Sequence, residues 1–481
     1  MIALTLAEVA EATGGRLDAG TDPAAVVRGA VTIDSRSVGA GDLFAALPGD
    51  RVDGHDYAPA AVAAGAVAVL AVRPTGVPAV LVDDPVAALG RLARAVRDRL
   101  PQLLVIGVTG SSGKTSTKDL LAAVLARAGA TVATQGSYNN EIGTPLTILQ
   151  ADESTRYLVV EMGARGAGHI TYLAGMARPD IGVVLNIGTA HVGEFGGKEK
   201  TAQAKGELVE ALPPTGLAVL NADDPLVAAM APRTRARVVR TGIDEPAQIR
   251  AERIVLDDQA RPSFDLVGEG QDPARVQMGL HGAHNVLNAL AAAAVGAEVG
   301  LGVSTIAEAL SAAGAASQWR MEVRRREDGL VVVNDAFNAN PDSTTAALRA
   351  LAAMAAALPP PAAGWAVLGP MVELGADSVA EHEAIGRLVG ELGLAGLIAV
   401  GPKAVPIADG ARSHPGLPVL TAVDVDEAVL LVEQNVRRTD VVLIKASRAY
   451  GLERVAAGVL AAGPGSALVT EDTPEERKDS A

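Results

Sequence analysis

Short apolar runs recur along most of the chain, separated by Ala-rich stretches whose apolar positions fall at helical spacing. This alternation is the pattern of parallel α/β sheets. Residues 103–108, 157–160, 181–187 and 216–221 read as buried strands of one block. Residues 330–334, 365–368, 397–400 and 441–444 repeat the rhythm with helices between, which predicts a further doubly wound sheet. Ahead of both, residues 1–100 hold shorter strands and turns such as Pro48-Gly49-Asp50 and close on an amphipathic helix over 85–100. The pattern divides the chain into blocks of 1–100, 101–317 and 318–470, with a surface loop at Pro359-Pro360-Pro361 in the last. No repeat of fixed period is visible, and residues 471–481, charged and apolar-poor, predict a disordered tail.

Composition narrows the class. A chain of 481 residues exceeds what one hydrophobic core usually serves, which agrees with several domains. Hydrophobic residues are 49% but aromatics only 2%, so the buried matter is Ala, Val and Leu, which favours an α/β enzyme over an aromatic-rich binding module. The net charge of −15 argues against a nucleic-acid partner or an anionic-membrane surface, although an anionic small substrate still needs a local basic pocket. With no cysteine there is neither a disulfide framework nor a thiolate metal site, as suits a reducing compartment. Residues 1–15 carry Glu8 and Glu11 and no basic opening, unlike a secretory signal, and the longest apolar run, 60–72, is too short to span a bilayer. The expectation is a soluble, cytoplasmic protein with no membrane insertion.

Chemistry enters at Thr109-Gly110-Ser111-Ser112-Gly113-Lys114-Thr115, a glycine-rich turn between a buried strand and a helix. Such a turn wraps backbone N–H groups around phosphates. Its glycines allow close approach, its lysine reaches the outer phosphates, and its threonine offers a hydroxyl to Mg²⁺. The strict pattern requires another glycine where this chain has Val108, so the match is to the looser Gly-x-x-Gly-Lys-Thr. The loop alone says nucleotide, without separating kinase, GTPase, motor and ligase. In a doubly wound sheet the ligand lies outside the carboxyl ends of the strands, which makes Glu161, after Leu158-Val159-Val160, a candidate Mg²⁺ ligand. His191 follows another strand and is a less usual ligand for a hard metal, and Lys205 reads by default as a solvated helix lysine.

Together these strings resemble the Mur ligase family, ATP-dependent amide-forming enzymes of peptidoglycan precursor synthesis, and the resemblance covers all three blocks. Asp34-Ser35-Arg36, Gly41-Asp42-Leu43-Phe44 and Asp53-Gly54-His55 look like the family's uridine-nucleotide-binding module, which places Ser35 and Arg36 near the UDP end. The central block resembles the ATPase domain in Gly110, Ser111, Ser112, Gly113, Lys114, Thr115 and Ser116, in Asn139-Asn140-Glu141-Ile142-Gly143-Thr144-Pro145, in Glu161-Met162-Gly163-Ala164 and in the string from Asn186 to His191. The resemblance implies Thr115, Glu161 and His191 as magnesium ligands and Lys205 as the lysine that is carbamylated, turning a cation into a carboxylate for a second Mg²⁺. It implies Asn285 and Asn288, in His284-Asn285-x-x-Asn288, on the adenine side of ATP, and Arg320 and Asp335 as residues that reach ATP when the last domain closes. Asn140, Thr144 and Asn338 fall on the substrate side, and Lys445-Ala446-Ser447-Arg448 near the incoming amine.

The implied fold is α/β in three domains: a small N-terminal module, a central doubly wound ATPase domain of P-loop type and a Rossmann-like C-terminal domain. This chain departs from the family pattern at Pro370, where Asp is usual, at Ala446, where Gly is usual, and at Arg165, where Asn is common. The Asp-Asn-Pro-Arg string of the meso-diaminopimelate-adding branch is absent. Asn139-Asn140-Glu141-Ile142-Gly143 and Asn338-Ala339-Asn340-Pro341 look instead like the branch that adds D-alanyl-D-alanine to a UDP-N-acetylmuramoyl-tripeptide. The cofactors implied are ATP and Mg²⁺, and a monomer is expected. The alternatives are another, diamino-acid-adding Mur ligase and a folylpolyglutamate synthetase-like ligase, against which residues 1–100 argue. A nucleotide switch or non-catalytic homologue is disfavoured by the retained Lys114, Thr115, Glu161, His191 and Lys205.

Overall fold

The computed structural model describes residues 1–49, 52–188, 197–314 and 317–462. The chain forms two compact units. One spans Met1–Gln318; the other spans Trp319–Asn340, Ala347–Val372 and the residues from Val379 onward, with Pro341–Ala346 and Glu373–Ser378 counted with the first. Each of the three expected blocks carries its own sheet, two of them inside the first unit. The expected tail, 471–481, lies outside the described residues.

In the smallest block, Val31–Thr32, Leu43–Ala45, Ala68–Ala71 and Ala79–Leu81 run parallel, and Arg16–Leu17 adds an antiparallel edge. The helix Pro85–Asp98 then carries the chain toward the central sheet. Asp84 accepts from the N–H groups of Val86 and Ala87, Pro85 opens the first turn, and seven apolar or small residues fall on its buried stripe. It packs against the helices Gly143–Ile148 and His169–Ala177 of the next block. One hydrophobic cluster runs from Leu4 and Leu43 through Leu89, Leu92 and Val96 to Ile148, Leu173 and Leu208, so the first two blocks share a core.

Among the described residues the central sheet has nine strands. Thr131–Ala133, Tyr157–Glu161, Leu104–Thr109, Ile181–Val184, Leu217–Asn221, Arg237–Gly242 and Ile249–Leu256 lie side by side in parallel. From Leu104–Thr109 the chain steps to one edge, returns through Tyr157–Glu161, and crosses to Ile181–Val184 on the other side. That reversal places a crevice at the carboxyl end of Leu104–Thr109. Pro262–Gly268 and Ala274–Gln277 extend the far edge antiparallel, a feature the apolar-run reading did not anticipate. Ile249–Leu256 alternates buried and more exposed positions over its first half, which suits a strand near a half-solvated antiparallel edge and gives no continuous apolar run to notice.

The second unit repeats the parallel design in the order Glu322–Arg325, Val331–Asn334, Val441–Lys445, Gly364–Leu368, Gly396–Val400 and Val419–Ala422, with only the first antiparallel. The return of Val441–Lys445 between Val331–Asn334 and Gly364–Leu368 brings Asp335 and Lys445 together at one end of the sheet.

Truncating Leu92, fully buried in the shared core, should lower stability by about 2–5 kcal/mol. Hydrogen exchange of Leu92→Ala should accelerate in Ala68–Ala71 and in Tyr157–Glu161 alike. Acceleration confined to the small sheet would show that the core is not shared.

Candidate active site

Leu104–Thr109 ends at the crevice, and the chain turns through Gly110, Ser111, Ser112 and Gly113 directly into the helix Lys114–Leu125. Gly113 has φ +80°, which an L side chain rarely adopts, and a Cβ there would lie 2.5 Å from Asn288 Oδ1. Val108 sits inside the strand, in register with Glu161 and Val183, with its side chain wholly buried. It fills core where a stricter loop has glycine.

Asn186 clamps the turn. Its Oδ1 accepts from Ser112 N at 2.9 Å, its Nδ2 donates to Ser112 O at 3.2 Å, and its own carbonyl accepts from Ser111 N at 3.0 Å. Gly188 N donates to Ser111 Oγ at 2.9 Å. These bonds explain why the apolar run expected to be strand over 181–187 ends as strand at Val184. In the sequence Asn186 stands only within a string, and the signal it offers is an amide two residues past the end of a central strand.

Thr115 Oγ1 donates to Glu161 Oε2 at 3.0 Å, while Ser137 Oγ and Asn139 Nδ2 donate to Glu161 Oε1 at 3.1 and 2.7 Å. Thr115 and Glu161 are buried, so Glu161 is no solvated strand end. A hydroxyl and a carboxylate, both hard oxygen donors, meet at the mouth of an anion-binding turn, and this donor set fits Mg²⁺. His191, the third expected ligand, lies outside the described residues.

Lys205 departs most from its default reading. It stands on the helix Lys198–Glu210, is 1% exposed, and its Nζ donates to Gly110 O at 3.2 Å. Lys114 Nζ donates to the same carbonyl at 2.8 Å. Burial holds the Lys205 amine well below the ordinary lysine value, and the neighbouring Lys114 pushes it the same way. A deprotonated amine is a nucleophile for CO₂, as the carbamate reading requires.

The helix Asn285–Glu298 brings Asn285 and Asn288 to the phosphate turn. Asn288 Nδ2 donates to Asn285 Oδ1 at 2.9 Å, and Asn285 Nδ2 donates to His281 O at 2.8 Å. Ser116, in the first turn after Gly113, is half-buried. Asn140 Oδ1 accepts from Ile142 N and Gly143 N at 3.2 and 2.8 Å, which braces the start of Gly143–Ile148. Thr144 is buried, and its hydroxyl has no hydrogen-bond partner among the described residues.

Ser35 and Arg36 lie on a separate exposed turn, where Arg36 grips Asp34 through Nε and Nη2 at 2.9 and 2.8 Å and holds the Asp34 carboxyl down to about 2. The structure therefore does not bring them to the phosphate turn. In the second unit, Asp335 accepts from Met321 N at 3.1 Å and from Lys445 Nζ at 2.6 Å, and Lys445 also donates to Asn338 O at 2.8 Å. The Arg320 guanidinium lies 4.2 Å from the centre of the Phe337 ring. Pro370, in place of the usual Asp, offers its carbonyl to Ser447 N at 3.1 Å, and Ala446 is buried against Gly369.

The depressed Lys205 value carries a stability consequence. Between its folded value and the ordinary lysine value the unfolded chain binds one more proton than the folded chain, so stability rises with pH through that window. In CO₂-depleted buffer Lys205→Met should remove this slope and unfold at higher denaturant than the parent at neutral pH, the gap closing as pH rises toward the ordinary lysine value. A gap independent of pH would contradict a deprotonated Lys205.

Residues 29–97 match the Mur ligase family, catalytic domain, residues 108–296 the Mur ligase middle domain, and residues 319–448 the Mur ligase, glutamate ligase domain. The chain is 48% identical to the UDP-N-acetylmuramoyl-tripeptide--D-alanyl-D-alanine ligase of Mycobacterium tuberculosis strain H37Rv, over 98% of this chain and 99% of that one. Its structure is similar to that of MurF from Acinetobacter baumannii, with a TM-score of 0.85 at 31% identity over 95% of this chain and 99% of the other. MurF from Thermotoga maritima, solved in complex with ADP, superposes with a TM-score of 0.77 at 30% identity over 90% and 97% of the two chains. With all three domain matches in chain order around this phosphate turn, the chain belongs to the Mur ligase family.

Proposed function

We propose that this chain is the ATP-dependent, ADP-forming ligase that joins D-alanyl-D-alanine to UDP-N-acetylmuramoyl-tripeptide, the last cytoplasmic step of precursor assembly, and that it acts as a monomer. The observation that carries the reading is the convergence of Lys114, Thr115, Glu161 and Lys205 on one phosphate turn, in a chain similar over 98% of its length to a ligase of that specificity. The domains are assigned as 1–100 for the UDP-linked acceptor, 101–317 for ATP and 318–470 for the C-terminal Rossmann-like part.

Amide formation from a carboxylate needs a better leaving group than oxide. An oxygen of the tripeptide carboxylate attacks the γ-phosphorus of ATP, ADP departs, and an acyl phosphate remains. The amine of D-Ala-D-Ala then attacks the acyl carbon, phosphate leaves with the bonding pair, and the nitrogen loses a proton. Lys114 and the backbone N–H groups of the turn neutralise charge on the transferring phosphoryl group. Thr115, Glu161 and His191 would hold Mg²⁺, which would supply further charge neutralisation when bound. The depressed Lys205 favours the uncharged amine, which adds CO₂ and releases a proton to become a carbamate, an oxygen donor that would hold a second Mg²⁺. Ser111, Ser112, Ser116, Asn285, Asn288, Arg320 and Asp335 are assigned to ATP, and Ser35, Arg36, Asn140, Thr144 and Asn338 to the substrates.

ADP release should require both the UDP-linked tripeptide and D-Ala-D-Ala; a robust rate with folate and glutamate instead would move the assignment to a folylpolyglutamate synthetase. Glu161→Gln should lower kcat by about a hundredfold or more. Lys205→Ala should be inactive and regain turnover with added short carboxylic acids; full activity without them would remove the carbamate from the mechanism. Asp335→Ala should depress kcat with the fold intact, checked by steady-state kinetics alongside circular dichroism.

A further inference from the structure

The reaction described above leaves one charged cluster beside Glu161 unused. Arg165 Nη1 lies 3.6 Å from Glu141 Oε1, and His169 Nε2 lies 3.3 Å from Glu141 Oε2. The two loops that carry them are fastened to each other and to Glu161. Asn139 donates its Nδ2 to Glu161 Oε1 at 2.7 Å and accepts, through its backbone carbonyl, from Gly163 N at 2.8 Å. Arg165 N donates to His169 Nδ1 at 3.2 Å. Glu207 fixes the start of the helix His169–Ala177 by accepting from Gly168 N at 2.6 Å and Thr171 N at 2.9 Å. An exposed ion pair contributes little to stability, and this one is braced from both sides while the Arg165 side chain stays 62% exposed.

Geometry and substrate chemistry suggest what the cluster reads. The carboxyl that becomes the acyl phosphate belongs to the third residue of the tripeptide, so the tip of that residue's side chain lies one side-chain length from the transferring phosphoryl group. Glu141 and Arg165 stand one loop out from Glu161, on the same carboxyl edge of the sheet. A diamino acid side chain ends either in an ammonium alone or in an ammonium and a carboxylate on one carbon. The ammonium alone suits Glu141 but meets the Arg165 charge. The ammonium–carboxylate tip suits both, its carboxylate taking the guanidinium fork and its ammonium taking Glu141 in a ring of alternating charge.

We infer that Glu141 and Arg165 form a clamp for a zwitterionic amino-acid head at the tip of the acceptor's third residue. This rests on the ligase reading above. Without acceptor the two charges hold each other in the spacing the head group needs, which limits the reorganisation required on binding.

The test measures kcat/KM of the full chain for two UDP-linked muramoyl tripeptides that differ only in the third residue, 2,6-diaminopimelate or lysine, at saturating ATP and D-Ala-D-Ala. The parent should prefer the diaminopimelate acceptor by about tenfold or more, in line with recognition through a fully paired polar group. Arg165→Gln should abolish that preference through KM, leaving the lysine acceptor unchanged or improved, and Arg165→Lys should restore part of it. Glu141→Gln should weaken both acceptors, since both carry the ammonium. An equal loss on both acceptors in Arg165→Gln, or no loss on either, would overturn the clamp while leaving the ligase intact. Absence of ADP release with either acceptor in the parent would overturn the ligase reading and the clamp with it.

Discussion

Two lysine side chains end on one backbone carbonyl, that of Gly110. Lys205 is wholly enclosed, and burial pulls its amine well below the ordinary lysine value, with the charge of Lys114 beside it acting in the same direction. The arrangement of the crevice is built around that crowding of two cationic side chains on one turn.

Around this point the polar groups are arranged so that little is left to move. Asn186 spends its oxygen, its nitrogen and its own carbonyl on two successive residues of the turn. Glu161 has three donors on its carboxylate and a fourth contact through its own N–H to Thr134 Oγ1. Fully satisfied buried networks are rigid, and rigidity near a transferring phosphoryl group is what electrostatic catalysis requires. In the second unit Asp335 is held the same way, between Met321 N and Lys445; burial pulls the Lys445 amine below its ordinary value, and the Asp335 carboxylate offsets that only in part.

Much of this was legible in the sequence, for identifiable reasons. The central strands showed themselves because parallel strands are buried on both faces and read as unbroken apolar runs. Lys114, Thr115 and Glu161 showed themselves because they sit at fixed offsets from those runs. Ile249–Leu256, Pro262–Gly268 and Ala274–Gln277 escaped because polar and charged residues such as Arg250, Glu252, Asp265 and Arg275 interrupt their apolar positions, leaving no unbroken run. Lys205 was reachable through the family resemblance but not through hydropathy: its helix is polar by composition, and the fold shows that this side chain turns inward. Asn186 stood in a quoted string without a role, since its meaning depends on a partner far off along the chain, Ser112.

The helix Pro85–Asp98 belongs by sequence to the first block, yet its apolar stripe closes against helices that begin only at Gly143 and His169. During synthesis the first block therefore leaves the ribosome with its longest helix packed on Leu6–Thr13 of its own block, while the face that meets Gly143–Ile148 and His169–Ala177 waits for more of the chain. The block made first is completed by the block made after it, so a chain cut between them would leave part of that apolar stripe in water.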